Sequence, residues 1–288
     1  MTLASLPPQL IKTTVAAALA EDLGLAGDVT TNSVIAPHWT ATASINSREH
    51  GTVSGLDVAC EAFRQLDPDT DLNVAASDGE QVSPGDTVMT IAGNARAILS
   101  AERIALNFLG RMSGIATLTS RYAAAIAGTT ATIVDTRKTT PGLRAFEKYA
   151  VRCGGGMNHR VGLFDAVLIK DNHIAIAGGV AQAVAAAKQH AGHMVKIEVE
   201  VDTLEQLDEA LANPVDAVLL DNMPPEVLRQ AVDRCAGKII TEASGGINLE
   251  TVRAVAEAGV DLISVGALTH SVTVLDFGLD SDVRKLNS

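Results

Sequence analysis

The chain has 288 residues, enough for a barrel-sized domain with a second domain attached, and its 47% hydrophobic residues supply an ample core, which excludes a disordered or fibrous protein. A net charge of −12 with only 3% aromatic residues leaves neither the basic face nor the stacking surface of a nucleic-acid binder. Cys60, Cys153 and Cys235 are odd in number, far apart and without C-x-x-C spacing, so reduced cytoplasmic thiols are expected rather than a disulfide framework or a zinc site.

In chain order, the first element is a helical run that follows Pro7-Pro8 and reaches Leu23. It is too brief and too polar to span a membrane and lacks a signal-peptide layout, so no membrane partner is expected. Alternation over Thr40 to Arg48, the turn pairs Asp78-Gly79 and Pro84-Gly85, and a run from Thr87 to Ile91 predict short antiparallel strands. Ser100 is the expected cap of a helix from Ala101 through Leu109 and beyond. Together these define an α+β domain over residues 1–112, with the boundary near Met112. Its turns resemble those of a lipoyl or biotinyl carrier, but a carrier presents a lysine at a hairpin tip, and none occurs between Lys12 and Lys138.

From Thr132 onward a short aliphatic run, a polar residue and an amphipathic stretch recur. The runs are Thr132–Val134, Ala166–Ile169, Val195–Val199, Ala217–Leu220, Ile239–Thr241 and Leu262–Val265. Near-continuous apolar strands separated by helices predict a parallel sheet covered by helices. Helix punctuation agrees: Asp202 precedes Thr203 to Leu211, Pro225 suits a first turn, and Asn248 can cap a helix ending near Gly259. The regular spacing favours a (β/α) barrel over residues 113–274, with an open doubly wound sheet as the alternative.

Such a barrel delivers the residues after each strand to one rim. That rim is read as Asp135, Arg137 and Lys138; Lys170, Asp171 and Asn172; Glu198 and Glu200; Asp221 and Asn222; Glu242 and Ser244; Ser264 and Gly266. Between Ala131 and His173, seven Lys and Arg face four Asp and Glu, a local +3 in an acidic chain. A protein that repels anions overall but gathers cations in one segment points to a small, highly charged anionic ligand there.

Arg137 and Lys138, just past a strand, can grip carboxylate or phosphate; isolated, they would be read as surface ion pairing. Gly154-Gly155-Gly156-Met157-Asn158-His159-Arg160 offers flexible backbone and then two donors, though three glycines are a weak signal. Lys170 reads as a charge clamp, as a Schiff-base lysine, or as a mere partner of Asp171. Glu200 and Asp221 are the hard-oxygen candidates for a magnesium ion or ribose hydroxyls, ahead of Glu198, which can point into the barrel interior. Ser244-Gly245-Gly246 and Gly266 follow the last two strands, where a phosphate is commonly held by backbone N–H groups; turn glycines are the plainer reading. His173 and His270 have weaker claims, His173 as an orienting residue and His270 as a group satisfied within a loop.

Asp135-Thr136-Arg137-Lys138-Thr139-Thr140-Pro141-Gly142, the glycine segment through Arg160, and Leu168-Ile169-Lys170-Asp171-Asn172-His173 closely resemble quinolinate phosphoribosyltransferases. The likeness runs nearly end to end through Gly27-Asp28-Val29-Thr30-Thr31, Glu102-Arg103, Glu198-Val199-Glu200, Leu220-Asp221-Asn222-Met223 and Glu242-Ala243-Ser244-Gly245-Gly246-Ile247. Gly110 departs from the larger polar residue expected there.

The resemblance implies a barrel of reduced strand number behind an N-terminal α+β open-sandwich domain, with a tail of about residues 275–288 packing back on that domain. It implies phosphoribosyl transfer from phosphoribosyl pyrophosphate to quinolinate with decarboxylation, giving nicotinate mononucleotide, pyrophosphate and CO2 with Mg2+. The alternatives kept open are a phosphoribosyltransferase of the same fold acting on another base and a Schiff-base aldolase using Lys170. The resemblance also implies a homodimer with shared active sites, with a higher oligomer left open. By motif, Arg103, Thr136, Arg137, Lys138, His159, Arg160 and Lys170 surround the substrates, Arg103 reaching from the partner subunit. Glu200, Asp221, Lys138 and Lys170 are the expected catalytic residues, Glu200 and Asp221 the expected metal holders, and Ser244, Gly245, Gly246, Ser264 and Gly266 the expected phosphate contacts.

Overall fold

A computed structural model describes residues 4–284; the last four residues of the expected tail lie outside the described residues. Two compact units form. The first takes the chain up to Leu118, Ala145–Gly154 and the chain from Val272 onward, and the second takes Thr119–Arg144 and Gly155–Ser271.

In the first unit α1 (Pro8–Leu23) starts with proline in its first turn, and α2 (Val29–Val34) is capped by Asp28, whose carboxylate accepts from Thr31 N at 2.9 Å. Then follow β1 (Thr40–Ser47), β2 (Gly51–Thr52), α3 (Leu56–Leu66), β3 (Asp71–Val74), β4 (Gln81–Val82) and β5 (Thr87–Asn94). The alternation around Thr40 does what the period of two requires: Ala41, Ala43, Ile45 and Ser47 are buried on one face of β1.

The unit's main sheet is antiparallel and runs β12-β1-β5-β3, β12 being Phe277–Arg284 from the far end of the chain. β2 and β4 make a separate two-stranded ladder.

The helix expected from Ala101 is longer: α4 runs Ala95–Ala125, and Met112 falls inside it. Its cap is Asn94, whose side-chain oxygen accepts from Arg96 N at 2.9 Å and Ala97 N at 3.2 Å. Ser100 lies within the helix and donates to Asp28 Oδ2 at 2.9 Å. A Ser that can bond elsewhere does not stop a helix whose next residues are good formers. α5 (Arg144–Cys153) also departs from the sequence reading. Its positions from Ala145 onward belong to the first unit, where Phe146, Tyr149, Ala150 and Val151 are buried, instead of to the barrel.

The second unit holds β6 (Thr132–Val134), β7 (Val167–Ile169), α6 (Asp171–Ala177), α7 (Val180–His190), β8 (Ile197–Val201), α8 (Leu204–Leu211), β9 (Ala217–Asp221), α9 (Pro225–Cys235), β10 (Ile240–Ser244), α10 (Val252–Ala256), β11 (Leu262–Ser264) and α11 (Ala267–His270). Its six strands are all parallel, in the order β6-β11-β10-β9-β8-β7. β6 and β7 are thus the two edges, as a barrel of reduced strand number requires. Met157 adds a single parallel bridge to Val134 on β6, donating from its N to Ile133 O at 2.9 Å.

Two strands sit later than the apolar runs suggested. β8 continues to Val201 and β10 to Ser244, because Glu198, Glu200 and Glu242 occupy the inward positions of strands whose outward residues stay buried. Thr203, not Asp202, caps α8, accepting from Gln206 N at 3.2 Å. Asn248 makes its expected cap bonds to Glu250 N and Thr251 N at 3.0 Å each, but the regular helix behind it is only Val252–Ala256.

Candidate active site

The period of two builds the site. Leu168 and Lys170, Glu198 and Glu200, Leu219 and Asp221, and Glu242 and Ser244 are four pairs, each two residues apart on or just past one strand. Leu168, Leu219 and Glu242 reach a cavity of about 380 Å³ from below, and Lys170, Glu200, Asp221, Ser244 and Ser264 line it from the strand ends. Thr136, Arg137, Lys138, His159 and Arg160 complete the lining. Ten of the expected site residues therefore share one cavity.

The cations hold few internal partners. Arg137 Nε is buried with no hydrogen-bond partner. Arg160 donates from Nη1 to Ala166 O at 3.2 Å, and burial first, then the neighbouring Arg137 charge, draws its pKa below the ordinary value. Two neighbouring guanidiniums, one with an orphaned N–H, give this wall of the cavity the chemistry that suits an anion. Lys170 Nζ pairs with Glu200 Oε2. His173 Nδ1 accepts from Lys170 N at 2.9 Å and so fastens the start of α6, an orienting role.

Asp221 accepts from Asn222 Nδ2 at 2.6 Å; desolvation, then the charge of Asp202, pushes its carboxyl up, and Lys170 and Lys138 oppose this. Asn222 adopts φ 54° and donates from its N to Ser244 O at 2.9 Å. Gly245, at φ 93°, has no room for a side chain: a Cβ would lie 2.2 Å from Asn222 Oδ1. Gly245 and Gly246 do not line the cavity, but their left-handed turn carries Ser244, which does. Gly266 precedes α11 and packs against the stem of Lys138 and the ring of His270. His270 itself bonds Ser271 Oγ at 2.6 Å.

Two rim expectations are corrected. Asp135 is fully buried and accepts from Asn158 Nδ2 at 2.7 Å and from His159 N at 2.9 Å, so it holds the segment that presents His159 and does not face a ligand. Glu242 is 1% exposed and lies one layer below the rim. Desolvation, then the charge of Glu198, pushes its carboxyl up to about 7, and His159 opposes the shift. His159 Nε2 lies 3.0 Å from Glu198 Oε2 and 3.5 Å from Glu242 Oε2, and Glu242 Oε1 is buried without a partner. An apolar run ending at Thr241 puts Glu242 on the rim; the continuing alternation, with Thr241 and Ala243 both buried on the outward face, is the signal that places it on the strand. Leu168 and Leu219, whose apolar runs mark them as strand core, also line the cavity.

Arg103 is exposed on α4 in the first unit and does not line this cavity. Glu200 and Asp221 fit a divalent cation: both are carboxylates facing the cavity, and among the described residues no cation lies at hydrogen-bond distance from the desolvated Asp221.

A parallel barrel of reduced strand number carrying a cationic cavity with carboxylates at its strand ends defines a class of enzyme that binds small anionic substrates. The family comparisons narrow it. Residues 28–113 match the model of the quinolinate phosphoribosyl transferase N-terminal domain and residues 115–280 that of the C-terminal domain. The chain is 45% identical over 260 residues to the probable nicotinate-nucleotide pyrophosphorylase [carboxylating] of Bacillus subtilis (strain 168), covering 90% of this chain and 89% of that one. It is 45% identical over 272 residues to the Mycobacterium leprae (strain TN) nicotinate-nucleotide pyrophosphorylase [carboxylating], covering 93% and 95%. The crystal structure of NadC from Streptococcus pyogenes superposes with a TM-score of 0.94 at 41% identity, covering 98% of this chain and all of that one. The chain belongs to the quinolinate phosphoribosyltransferase family.

Proposed function

We propose that this chain transfers the phosphoribosyl group of phosphoribosyl pyrophosphate to the ring nitrogen of quinolinate and releases CO2, giving nicotinate mononucleotide and pyrophosphate. The observation that carries this reading is the convergence of Arg137, Arg160, Lys138 and Lys170 on one cavity that also presents Glu200 and Asp221. A dicarboxylated ring and a pyrophosphate donor together bring more negative charge than a neutral pocket could hold.

In this reading Arg137, Arg160 and His159 hold the two carboxylates, with Thr136 beside them. The orphaned Nε of Arg137 supports that role, since a carboxylate would satisfy it. Arg103 is supplied by a second copy of the chain in a homodimer, which its exposure and its absence from this cavity support. Ser244 and Ser264, which line the cavity, receive the ribose phosphate, and Gly245, Gly246 and Gly266 shape the turns that follow them. Glu200 and Asp221 take the ribose hydroxyls and would hold Mg2+, which when bound neutralises the pyrophosphate of the donor.

The bond from the anomeric carbon to pyrophosphate breaks ahead of the bond that the pyridine nitrogen forms to the same carbon, so positive charge develops on the sugar before the electron pair of the nitrogen neutralises it. Glu200, kept in place by Lys170, and Asp221 stabilise that charge, while Lys138 and Lys170 offset the charge of the leaving group. The ring then carries a cationic nitrogen, so the adjacent carboxylate leaves as CO2, its electron pair stays on the ring carbon, and a proton from solvent replaces it. The Lys170–Glu200 pair ties up the amine that a Schiff-base mechanism would need free. The three buried free cysteines support a reducing, cytoplasmic setting. Among the described residues no helix is long and apolar enough to cross a membrane.

The test is direct. Quinolinate, phosphoribosyl pyrophosphate and Mg2+ should yield nicotinate mononucleotide, pyrophosphate and CO2 in equal amounts. Preference for nicotinate, or for another base, would overturn the substrate assignment.

A further inference from the structure

Beneath the cavity, His159, Glu198 and Glu242 bring one imidazole nitrogen and two carboxylates together, all within 4.8 Å of one another. The His159 Nε2 separations of 3.0 and 3.5 Å from the two carboxylate oxygens bracket the spacing of donors around a tetrahedral zinc. With bonds of about 2.0–2.2 Å, that geometry sets neighbouring donors about 3.3–3.5 Å apart.

A second observation is independent of that spacing. Glu242 Oε1 is buried and makes no hydrogen bond, in a side chain that is 1% exposed and lines the cavity. A buried carboxylate oxygen without a donor calls for a cation. Two inward-facing carboxylates from different strands also repel each other unless positive charge lies between them.

We propose that His159, Glu198 and Glu242 form a binding site for a borderline transition-metal ion of the zinc class, distinct from the hard-cation pair Glu200 and Asp221. Imidazole with carboxylates selects Zn2+ over Mg2+, which demands an octahedral shell of oxygens. Three protein ligands leave a fourth position, and the side left open faces the cavity, since both His159 and Glu242 line it. Metal there occupies His159. On the reading that His159 holds a substrate carboxylate, the ion competes with quinolinate and makes the site inhibitory.

The experiment uses the full chain freed of metal by chelation and titrated with ZnCl2 in a calorimeter, with excess Mg2+ present. One ion per chain is expected to bind at this site, and E242Q and E198Q should each weaken it at least tenfold. Zinc affinity unchanged in both variants, or zinc displaced by Mg2+, would overturn the site. Because the variants can fail to fold, crystals of the unaltered protein soaked in ZnCl2 give a second measurement at the zinc absorption edge. An anomalous peak is expected between His159, Glu198 and Glu242, and a peak only at surface groups such as His190 or His193 overturns it. Zinc should also raise the Kd for quinolinate at least tenfold; an unchanged Kd with zinc at the site overturns the competition. Quinolinate turnover in zinc-free buffer reports on the proposed activity separately, so failure of that reading and failure of the metal site cannot be confused.

Discussion

Both units bury charged side chains, but they treat them differently. In the first, Glu147 is 1% exposed and its Oε1 accepts from Arg111 Nε at 3.0 Å and from Nη2. Asp78 takes the Tyr149 hydroxyl at 2.8 Å and the N–H groups of Gly55 and Leu56, which open α3. In the second unit Arg137 Nε and Glu242 Oε1 are buried without a hydrogen-bond partner. A satisfied buried charge is architecture, whereas an unsatisfied one beside a cavity is an offer to a ligand. Arg152 is the exception in the first unit: its Nε lacks a partner, although Nη2 donates to Ala4 O at 2.9 Å and the guanidinium lies 5.4 Å from the centroid of Tyr149.

The sharpest way to break this contrast is to remove the cavity's cations. R137A or R160A should weaken quinolinate binding by about 2–5 kcal/mol, as expected when one partner of a desolvated charge pair is lost, with little change in thermal stability. Calorimetry showing wild-type affinity would end the distinction for these residues. The mirror case is E147A. It strands the partly exposed Arg111 beside a buried vacancy and should cost about 3 kcal/mol of stability in urea denaturation while leaving quinolinate affinity intact.

A third test uses pH. Glu242 is pushed up to about 7 in the fold, so it resists ionisation there more than in the unfolded chain. Its contribution to stability is full below the ordinary carboxyl value of 4.5 and is lost as pH rises toward 7. E242Q should remove that decline, worth on the order of a few kcal/mol, in denaturation midpoints measured from pH 4.5 to 7.5 with chelator present. A wild-type slope unaltered by the variant would place the unmet charge elsewhere. The smallest effect belongs to the first unit: N94A removes the cap of α4 and should cost about 1 kcal/mol, with activity unchanged. No loss of stability would mean that the preceding strand fixes the start of the helix.

Reading the sequence recovered the strand positions and most of the cavity, because period-two alternation and apolar runs are local signals. β6 matches its apolar run residue for residue, and β7, β9 and β11 match theirs to within one residue at either end. It failed where a local signal had a competitor. Ser100 resembles a cap but lies inside α4, since Asn94 six residues earlier already satisfies the first N–H groups. Glu242 resembles a strand end because a carboxylate is rarely buried.

What the sequence by itself determined is the parallel sheet, the order of its elements and the set of cations and carboxylates that meet at its strand ends, because each strand's side-chain period dictates which residues turn inward. Only the tertiary structure decided that Ala145–Gly154 leaves the barrel for the first unit, that the returning tail pairs as a strand with β1, and that Asp135 serves as a clamp. It alone decided that Glu242 meets His159 and Glu198 beneath the cavity. Those outcomes depend on desolvation and on pairing between residues far apart in the chain, and neither leaves a periodic trace in the sequence.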